Sequence, residues 1–452
     1  MDQALRRDLD QFVVETMERI QVPGVGVGIL QNGVEVAAGY GIINVDNPLP
    51  VTPETLFQIG STSKTVTATA MMRLVEAGKL ELEAPVRKYL PEFRLQSEED
   101  AARARVIDLV THVGGWVGDY FRDTGRGEDA LARIVAKMAN SPQLTPLGSV
   151  WAYNNAAFYV AGRIVEVVSG QSFEPAVRDL VFKPLGMHQT FFSHDDLVPC
   201  RVAAGHIVFE DGPRVARPWA MFGSAAPAGG VISTVPDQLR YARFHMGDGT
   251  AEDGARVLDQ GTLDRMKAPV VLAGSMCDAV GVSWLLKDVG GHQVVMHGGA
   301  TNGQMSSFMM IPAKQFALTV LANADRGREA HTLISNWILE HVAGVSAPFP
   351  EVLPLSVRQL EPYGGRYQAV LGSLELSAEA GTLIMRQQPA PNPLAPPGEQ
   401  VPLPPPVRLG FLSDDCVISL DPPSRGARGE FVTSPDGASW FRWGGRIHRR
   451  MA

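Results

Sequence analysis

The sequence predicts an α/β fold in which helices flank an antiparallel sheet and a helical lobe is inserted between its strands. A small β-domain follows. Three observations carry this expectation. Strand-like segments stand at both ends of the first 345 residues, helical patterns fill the middle, and roughly the last hundred residues alternate short strands with turns.

"MDQALRRDLDQFVVETMERI" is a charged amphipathic helix ending near Pro23. It lacks the apolar core of a signal peptide. No stretch reaches the roughly 18 apolar residues of a membrane span. "GVGVGILQNGVEVAAGYGIINV" reads as two strands joined at Asn32-Gly33, a strong hairpin signal. "TLFQIG" is a short apolar lead into a helix that begins near Ser61 and is capped around Gly78. Residues 80 to 195 are mostly helical in pattern, including "ALARIVAKMAN" and "NNAAFYVAGRIVEVVSG".

"PAGGVISTVPDQLRYARFHMGDG" gives a Gly-rich turn, a brief strand and a helix. "GVSWLLKDVGGHQVVMHGG", "MSSFMMIP" and "FALTVLANA" follow as an antiparallel meander, then "EAHTLISNWILEHVAG" as a last amphipathic helix. The Pro-rich 346–355 reads as a linker. The domains expected are therefore 1–345, a linker over 346–355, and a β-barrel or sandwich over 356–452. The Pro-rich 389–406 is an extended loop, since proline cannot donate within a ladder.

Composition narrows the function. The chain has 452 residues, 45% hydrophobic and 19% charged, with a formal net charge of −8. No basic patch of the kind a nucleic-acid binder needs is present. Cys200, Cys277 and Cys416 lie far apart and suggest neither a disulfide framework nor a zinc site. A cytoplasmic protein with neither nucleic-acid nor membrane partners is expected.

Three short motifs carry chemistry. In "GSTSK", Ser61 and Lys64 lie one helical turn apart, so the amine can reach the hydroxyl. A serine needs a base to become a nucleophile, and a lysine kept neutral by burial supplies one. The backbone N–H of Ser61, at a helix N-terminus, can meet a developing oxyanion. In "WAYNN", Tyr153 and Asn155 precede an apolar helix and can point into one cleft. The tyrosine is a base only if neighbouring ammonium groups depress its pKa. In "VVMHGGA", an apolar strand leads to His297, Gly298 and Gly299. The two glycines suit close approach of backbone to ligand, and the Ala300 N–H can complete an oxyanion hole. Each motif alone also fits an ordinary helix cap, a packed tyrosine or a surface histidine.

Together, S-x-x-K, Y-x-N and H-x-G in that order resemble the serine β-lactamase and penicillin-binding-protein superfamily, over roughly residues 10 to 345. The branch is that of class C β-lactamases, D,D-carboxypeptidases, D-aminopeptidases and related esterases. "VRKYLPEF", "VIDLVTHVGGW" with His112 and Gly115, "FKPLGMHQT" and "PAGGVISTVPDQLRYARF" look like the same family. The resemblance implies a β-lactamase/transpeptidase-like fold with Ser61 as the nucleophile and Lys64 with Tyr153 as the proton-transfer pair. It further implies that Asn155 holds Lys64 and a substrate amide, and that His297, Gly298 and Gly299 border the substrate. The N–H groups of Ser61 and Ala300 form the oxyanion hole, and no metal or organic cofactor takes part.

His297 and Gly298 stand where β-lactamases carry a lysine and a threonine that bind the substrate carboxylate. The substitution implies weak β-lactamase and carboxypeptidase activity. In the family H-x-G goes with D-aminopeptidase-like and esterase-like members. The expected activity is cleavage of a peptide or amide bond, with D-residues as candidates. A carboxylesterase, a β-lactamase and a silent scaffold are the alternatives. The last hundred residues resemble the lipocalin-like barrels appended to some members, where the barrel supports homo-oligomers. That domain is expected to carry no site of its own, or else to cover the cleft with its Pro-rich loop 389–406.

Overall fold

The computed structural model describes residues 1–192, 194–219, 221–391, 403–433 and 439–451. Helix α1 (Gln3–Ile20) is capped by Asp2, whose carboxylate accepts from the Leu5 N–H at 2.8 Å. Strands β1 (Gly24–Gln31) and β2 (Val34–Gly41) form the hairpin that the Asn-Gly pair implies. Helix α2 (Ser63–Glu76) follows, then α3 (Asn155–Ser169) and α4 (Val235–Met246). The sheet resumes with the short β3 (Val271–Leu272) and β4 (Ala279–Val280). It continues through β5 (Leu285–Val289), β6 (His292–Thr301), β7 (Gln304–Ile311) and β8 (Phe316–Ala322). Helix α5 (Gly327–His341) closes this part.

These strands make one eight-stranded sheet in the order β2-β1-β8-β7-β6-β5-β4-β3, with neighbours antiparallel. The N-terminal hairpin therefore pairs with the last strand of the meander, Val27 opposite Val320. The helical lobe is an insertion between β2 and β3.

Each face of the sheet buries its own core. Against one lie α1 and α5, around Leu9, Val13, Leu318, Ile334 and Ile338. Against the other lie α2, α3 and α4, in a larger core that includes Met71, Phe158, Tyr241, Trp284 and Phe308. Strands buried on both faces read as continuous apolar runs, and "FALTVLA" of β8 is buried at every position. Trp284 and Phe308 stack with ring centroids 5.7 Å apart. The Tyr241 hydroxyl next to them is 2.8 Å from Thr69 Oγ1, tying α4 to α2.

Two local differences from the sequence reading matter for the site. Ser61 lies in a 3-10 turn, Gly60–Thr62, and the α-helix starts only at Ser63. Tight 3-10 turns are common at helix N-termini. The mostly helical stretch expected over 80–195 is interrupted by irregular chain from about 113 to 125. Here tertiary hydrogen bonds replace helical ones: the Ala156 N–H donates to the Gly118 carbonyl at 2.9 Å, and Asn154 Nδ2 donates to the Trp116 carbonyl at 3.0 Å.

Residues 365 to 450 form a closed barrel. Its strands are β9 (Gly365–Ala369), β10 (Gly372–Glu379), β11 (Thr382–Pro389), β12 (Val407–Phe411), β13 (Cys416–Ser419), β14 (Arg428–Thr433), β15 (Ser439–Trp443) and β16 (Arg446–Arg450). Closure comes from β9 pairing with β16, Tyr367 opposite Arg450, which removes the sheet edges. Leu376, Leu383, Leu409, Val417 and Phe441 are among the residues that fill it. Most of the Pro-rich loop (392–402) lies outside the described residues.

The barrel packs on the first part of the chain through charged contacts. Arg428 pairs with Asp278 at 2.8 Å. Arg442 reaches both Glu430 and the Ala273 carbonyl.

Removing the Phe308 ring, buried against Trp284 and Tyr241, leaves a cavity that the sheet and α4 cannot close. Phe308→Ala is expected to lower unfolding free energy by about 3–5 kcal/mol. The check is a shift in the denaturation midpoint of this part of the chain with an unchanged denaturant slope.

Candidate active site

Lys64 is fully buried, because α2 enters the larger core at once. Its Nζ donates to Asn155 Oδ1 at 2.7 Å and to the Ala228 carbonyl at 2.7 Å, and lies within hydrogen-bond distance of Ser61 Oγ at 3.1 Å, where the neutral amine's lone pair can accept from the hydroxyl. It also lies 4.9 Å from the centroid of the Tyr153 ring and 5.4 Å from that of Phe158. Among the described residues no carboxylate touches it. Burial, and then the nearby Arg446 guanidinium, push its pKa well below the ordinary lysine value, while Asp119 opposes them. The site thus disfavours the ammonium form.

Asn155, at the start of α3, bridges two groups. Its Oδ1 accepts from Lys64, and its Nδ2 donates to Asp119 Oδ1 at 2.9 Å. Asp119 in turn binds Arg446 through Nε at 3.2 Å and Nη2 at 3.1 Å. A chain of contacts runs from the serine hydroxyl through Lys64, Asn155 and Asp119 to an arginine of the barrel.

Tyr153 stacks on His112 with centroids 4.5 Å apart. Its hydroxyl faces that of Ser61 without a hydrogen bond of ordinary geometry. The depressed tyrosine pKa that a basic role requires is not found. Burial pushes it above its ordinary value, outweighing the lowering by Ser61 and Arg446. Lys64 cannot counter this because it is itself held toward neutrality. Of the two, the lysine suits a base and the tyrosine an acid.

His297, on β6, donates from Nδ1 to the Gly298 carbonyl at 2.7 Å, which leaves Nε2 bare and buried. Burial and Lys64 lower its pKa to about 3. It therefore stays neutral at physiological pH and offers no cation.

Beyond His297, β6 runs against the Gly60–Ser61 turn. Gly60 has φ +50, and a Cβ there would lie 2.6 Å from the Ala300 nitrogen. Only glycine lets the two backbones approach this closely. A Cβ at Gly299 would likewise lie 1.9 Å from the Ile59 carbonyl oxygen.

Ser61, Tyr153, Asn155, His297, Gly298, Gly299 and Ala300 all line one cavity of about 290 Å³, with Lys64 behind its wall. The structure brings together every residue that the three motifs nominated. The cavity also contains groups that the motifs did not nominate. Arg446 lies over the Tyr153 ring, 4.8 Å from its centroid. The Tyr153 N–H donates to the Gly445 carbonyl at 2.7 Å. A side chain at Gly445 would strike Met276, Trp151 and Tyr153. The turn between β15 and β16 therefore reaches the cleft, and Arg446 of the barrel is among its lining residues. "WGGR" looks like an ordinary hairpin turn, and its partner Asp119 is 327 residues away. No periodicity links them. Asp119 had a weak signal, as the acidic residue after the Gly-rich "VGGWVG".

Arg328, near the start of α5, borders the cavity and makes no ion pair among the described residues. His331, one turn on, has a buried Nδ1 without a partner among the described residues. Burial and Arg328 lower the His331 pKa to about 3.

The chain is similar to several known proteins. The family described as Beta-lactamase matches residues 9–342. Penicillin-binding protein 4 of Amycolatopsis lactamdurans is 34% identical over 357 residues, covering 77% of this chain and 93% of its own. The unguisins hydrolase ungD' of Aspergillus campestris is 26% identical, over 71% of this chain and 62% of its own. The crystal structure of SurE with D-Leu superposes with a TM-score of 0.74 at 25% identity, over all of both chains.

Gly60→Ala is expected to separate the Ser61 turn from β6, through both the positive φ and the contact with Ala300. Labelling of the protein by a fluorophosphonate should fall at least tenfold while circular dichroism stays native. Unchanged labelling would show that the close approach is not needed.

Proposed function

The chain belongs to the beta-lactamase family of serine hydrolases, and from that premise we propose that it cleaves peptide or amide bonds through an acyl-enzyme on Ser61. The carrying observation is Lys64, buried, without a carboxylate partner among the described residues, and in hydrogen-bond contact with the Ser61 hydroxyl. In this reading residues 1–345 supply the nucleophile, 346–355 connect, and 356–452 form the barrel domain.

The neutral Lys64 amine takes the Ser61 proton as Oγ attacks the carbonyl carbon. The N–H groups of Ser61 and Ala300 receive the oxyanion, a term worth about 3–4 kcal/mol per donor in acyl transfer. Collapse breaks the C–N bond. Tyr153 gives its proton to the departing amine and regains one from the Lys64 ammonium. Water, activated by the same pair, then releases the acyl group. Asn155 fixes the lysine throughout, and Asp119 fixes Asn155.

Two features support a peptide substrate. Arg328, which makes no ion pair among the described residues, gives the Tyr153 side of the cleft a positive character that suits an anionic group on the substrate, where neutral His297 supplies none. The similar SurE structure with D-Leu favours substrates with D-residues.

The test is a fluorophosphonate probe with mass spectrometry, followed by turnover of paired L- and D-amino-acid p-nitroanilides. Label on Ser61, loss of turnover in Ser61→Ala, and a fall of about 10²–10⁴ in kcat/KM for Lys64→Ala are expected. An unlabelled Ser61 in folded protein would overturn the nucleophile. Faster turnover of p-nitrophenyl esters or nitrocefin than of any amide would move the reading to an esterase or a β-lactamase.

The pH profile gives a second check. A base with a lowered pKa is active above that pKa, so the labelling rate should rise with pH along one limb. Arg446→Gln removes a charge that lowers the Lys64 pKa and leaves Asp119, which raises it, unopposed. Both changes push the pKa up, so the limb should move to higher pH. A limb that stays in place would detach the barrel arginine from the base.

A further inference from the structure

A second cavity of about 260 Å³ adjoins the catalytic cleft, and Met221 and Gly229 line both. Gly229 follows Ala228, whose carbonyl accepts from Lys64, and a Cβ on it would lie 3.7 Å from the Gly60 carbonyl carbon. The second cavity is thus one backbone away from the nucleophile's turn. With no side chain at position 229, the partition consists mainly of the Met221 thioether, which is flexible.

The lining pairs apolar walls with charge. Phe192, Phe222 and Ile232 supply the walls. Arg126 is already engaged. It bonds His194 Nδ1 at 2.9 Å and the Met221 carbonyl at 3.5 Å. Glu174 differs, because among the described residues its carboxylate has neither a hydrogen bond nor an ion pair. Burial raises its pKa, Arg178 and Arg126 lower it, and Asp196 adds to the burden. Asp195 places another carboxylate on the same lining. A half-buried carboxylate left without a partner is destabilised until a cation reaches it.

We propose that this cavity is a subsite for a cationic group, an alkylammonium or guanidinium at the end of an apolar stem, on the acyl side of the peptide substrate, with Glu174 as its counter-ion. Phe192, Phe222 and Ile232 cover the methylene stem, and the carboxylate meets the head. This rests on the reading of Ser61 as the acylated residue, since the shared wall with that residue's cleft is what gives the cavity a substrate to bind.

The test compares dipeptide p-nitroanilides bearing lysine or norleucine at either acyl-side position, in wild type and Glu174→Gln. Wild type is expected to prefer lysine about tenfold or more in kcat/KM, the range of a hydrogen bond to a charged group. Glu174→Gln should lose that preference while norleucine substrates are turned over as before. A free N-terminal amine with norleucine, set against N-acetylated lysine, distinguishes the two sources of the cation. No lysine preference in wild type, or one that survives in Glu174→Gln, overturns the subsite.

Calorimetry of N-acetyl-lysine amide and its norleucine analogue on Ser61→Ala protein reads the same selectivity without turnover. Selective binding lost in Glu174→Gln, with Ser61 unlabelled in wild type, would uphold the subsite and reject the acyl-enzyme. Labelled Ser61 with equal binding of the two amides would do the reverse.

Discussion

The site depends on a lysine buried without a carboxylate partner among the described residues. Taking an ammonium out of water costs several kcal/mol even after relaxation, and only a contacting anion would repay it. Lys64 has instead a hydroxyl, an amide oxygen and a main-chain carbonyl. These oxygens can bond the ammonium when it forms, but they do not neutralise it. The amine is therefore held close to its neutral form and fixed in direction, the two properties a base needs. Asp119 stays one residue removed, across Asn155, where it offsets Arg446 without pairing with the lysine.

That arrangement constrains its surroundings. Three elements from distant parts of the chain must meet at one nitrogen: the turn before α2, the start of α3, and the Ala226–Gly229 segment. The sheet provides the fourth wall. Strand β6 approaches the Gly60–Ser61 turn so closely that neither Gly60 nor Gly299 tolerates a Cβ. The two large cores on the faces of the sheet hold these pieces in register, and the barrel adds a fifth contact through Gly445 and Arg446. The neutral histidine on β6 belongs to the same economy of charge. A cation at position 297 would add to the charges that act on Lys64, where Arg446 already lowers its pKa.

Much of this organisation is legible along the chain. The Asn-Gly hairpin, the helical middle, the apolar meander and the strand-and-turn texture of the last segment each reflect local periodicity, and each corresponds to an element of the fold. Ser61 and Lys64 share a face because they are one turn apart, a relation fixed by helix geometry alone. Tyr153–Asn155 and His297–Gly299 stand out through turn chemistry and the flanking apolar runs.

What tertiary structure decided is how these local pieces meet and what their charges become. The sequence by itself determined which residues carry reactive groups and which stretches are helix or strand, because those follow from neighbours a few positions away. It could not determine that a hairpin turn 327 residues from Asp119 completes the cleft. Nor could it show that Tyr153 is pushed up rather than down. Contact across such a distance is set by how the barrel packs against the sheet and its helices. The direction of a pKa shift is set by the balance between burial and nearby charge, and neither quantity exists until the chain has folded.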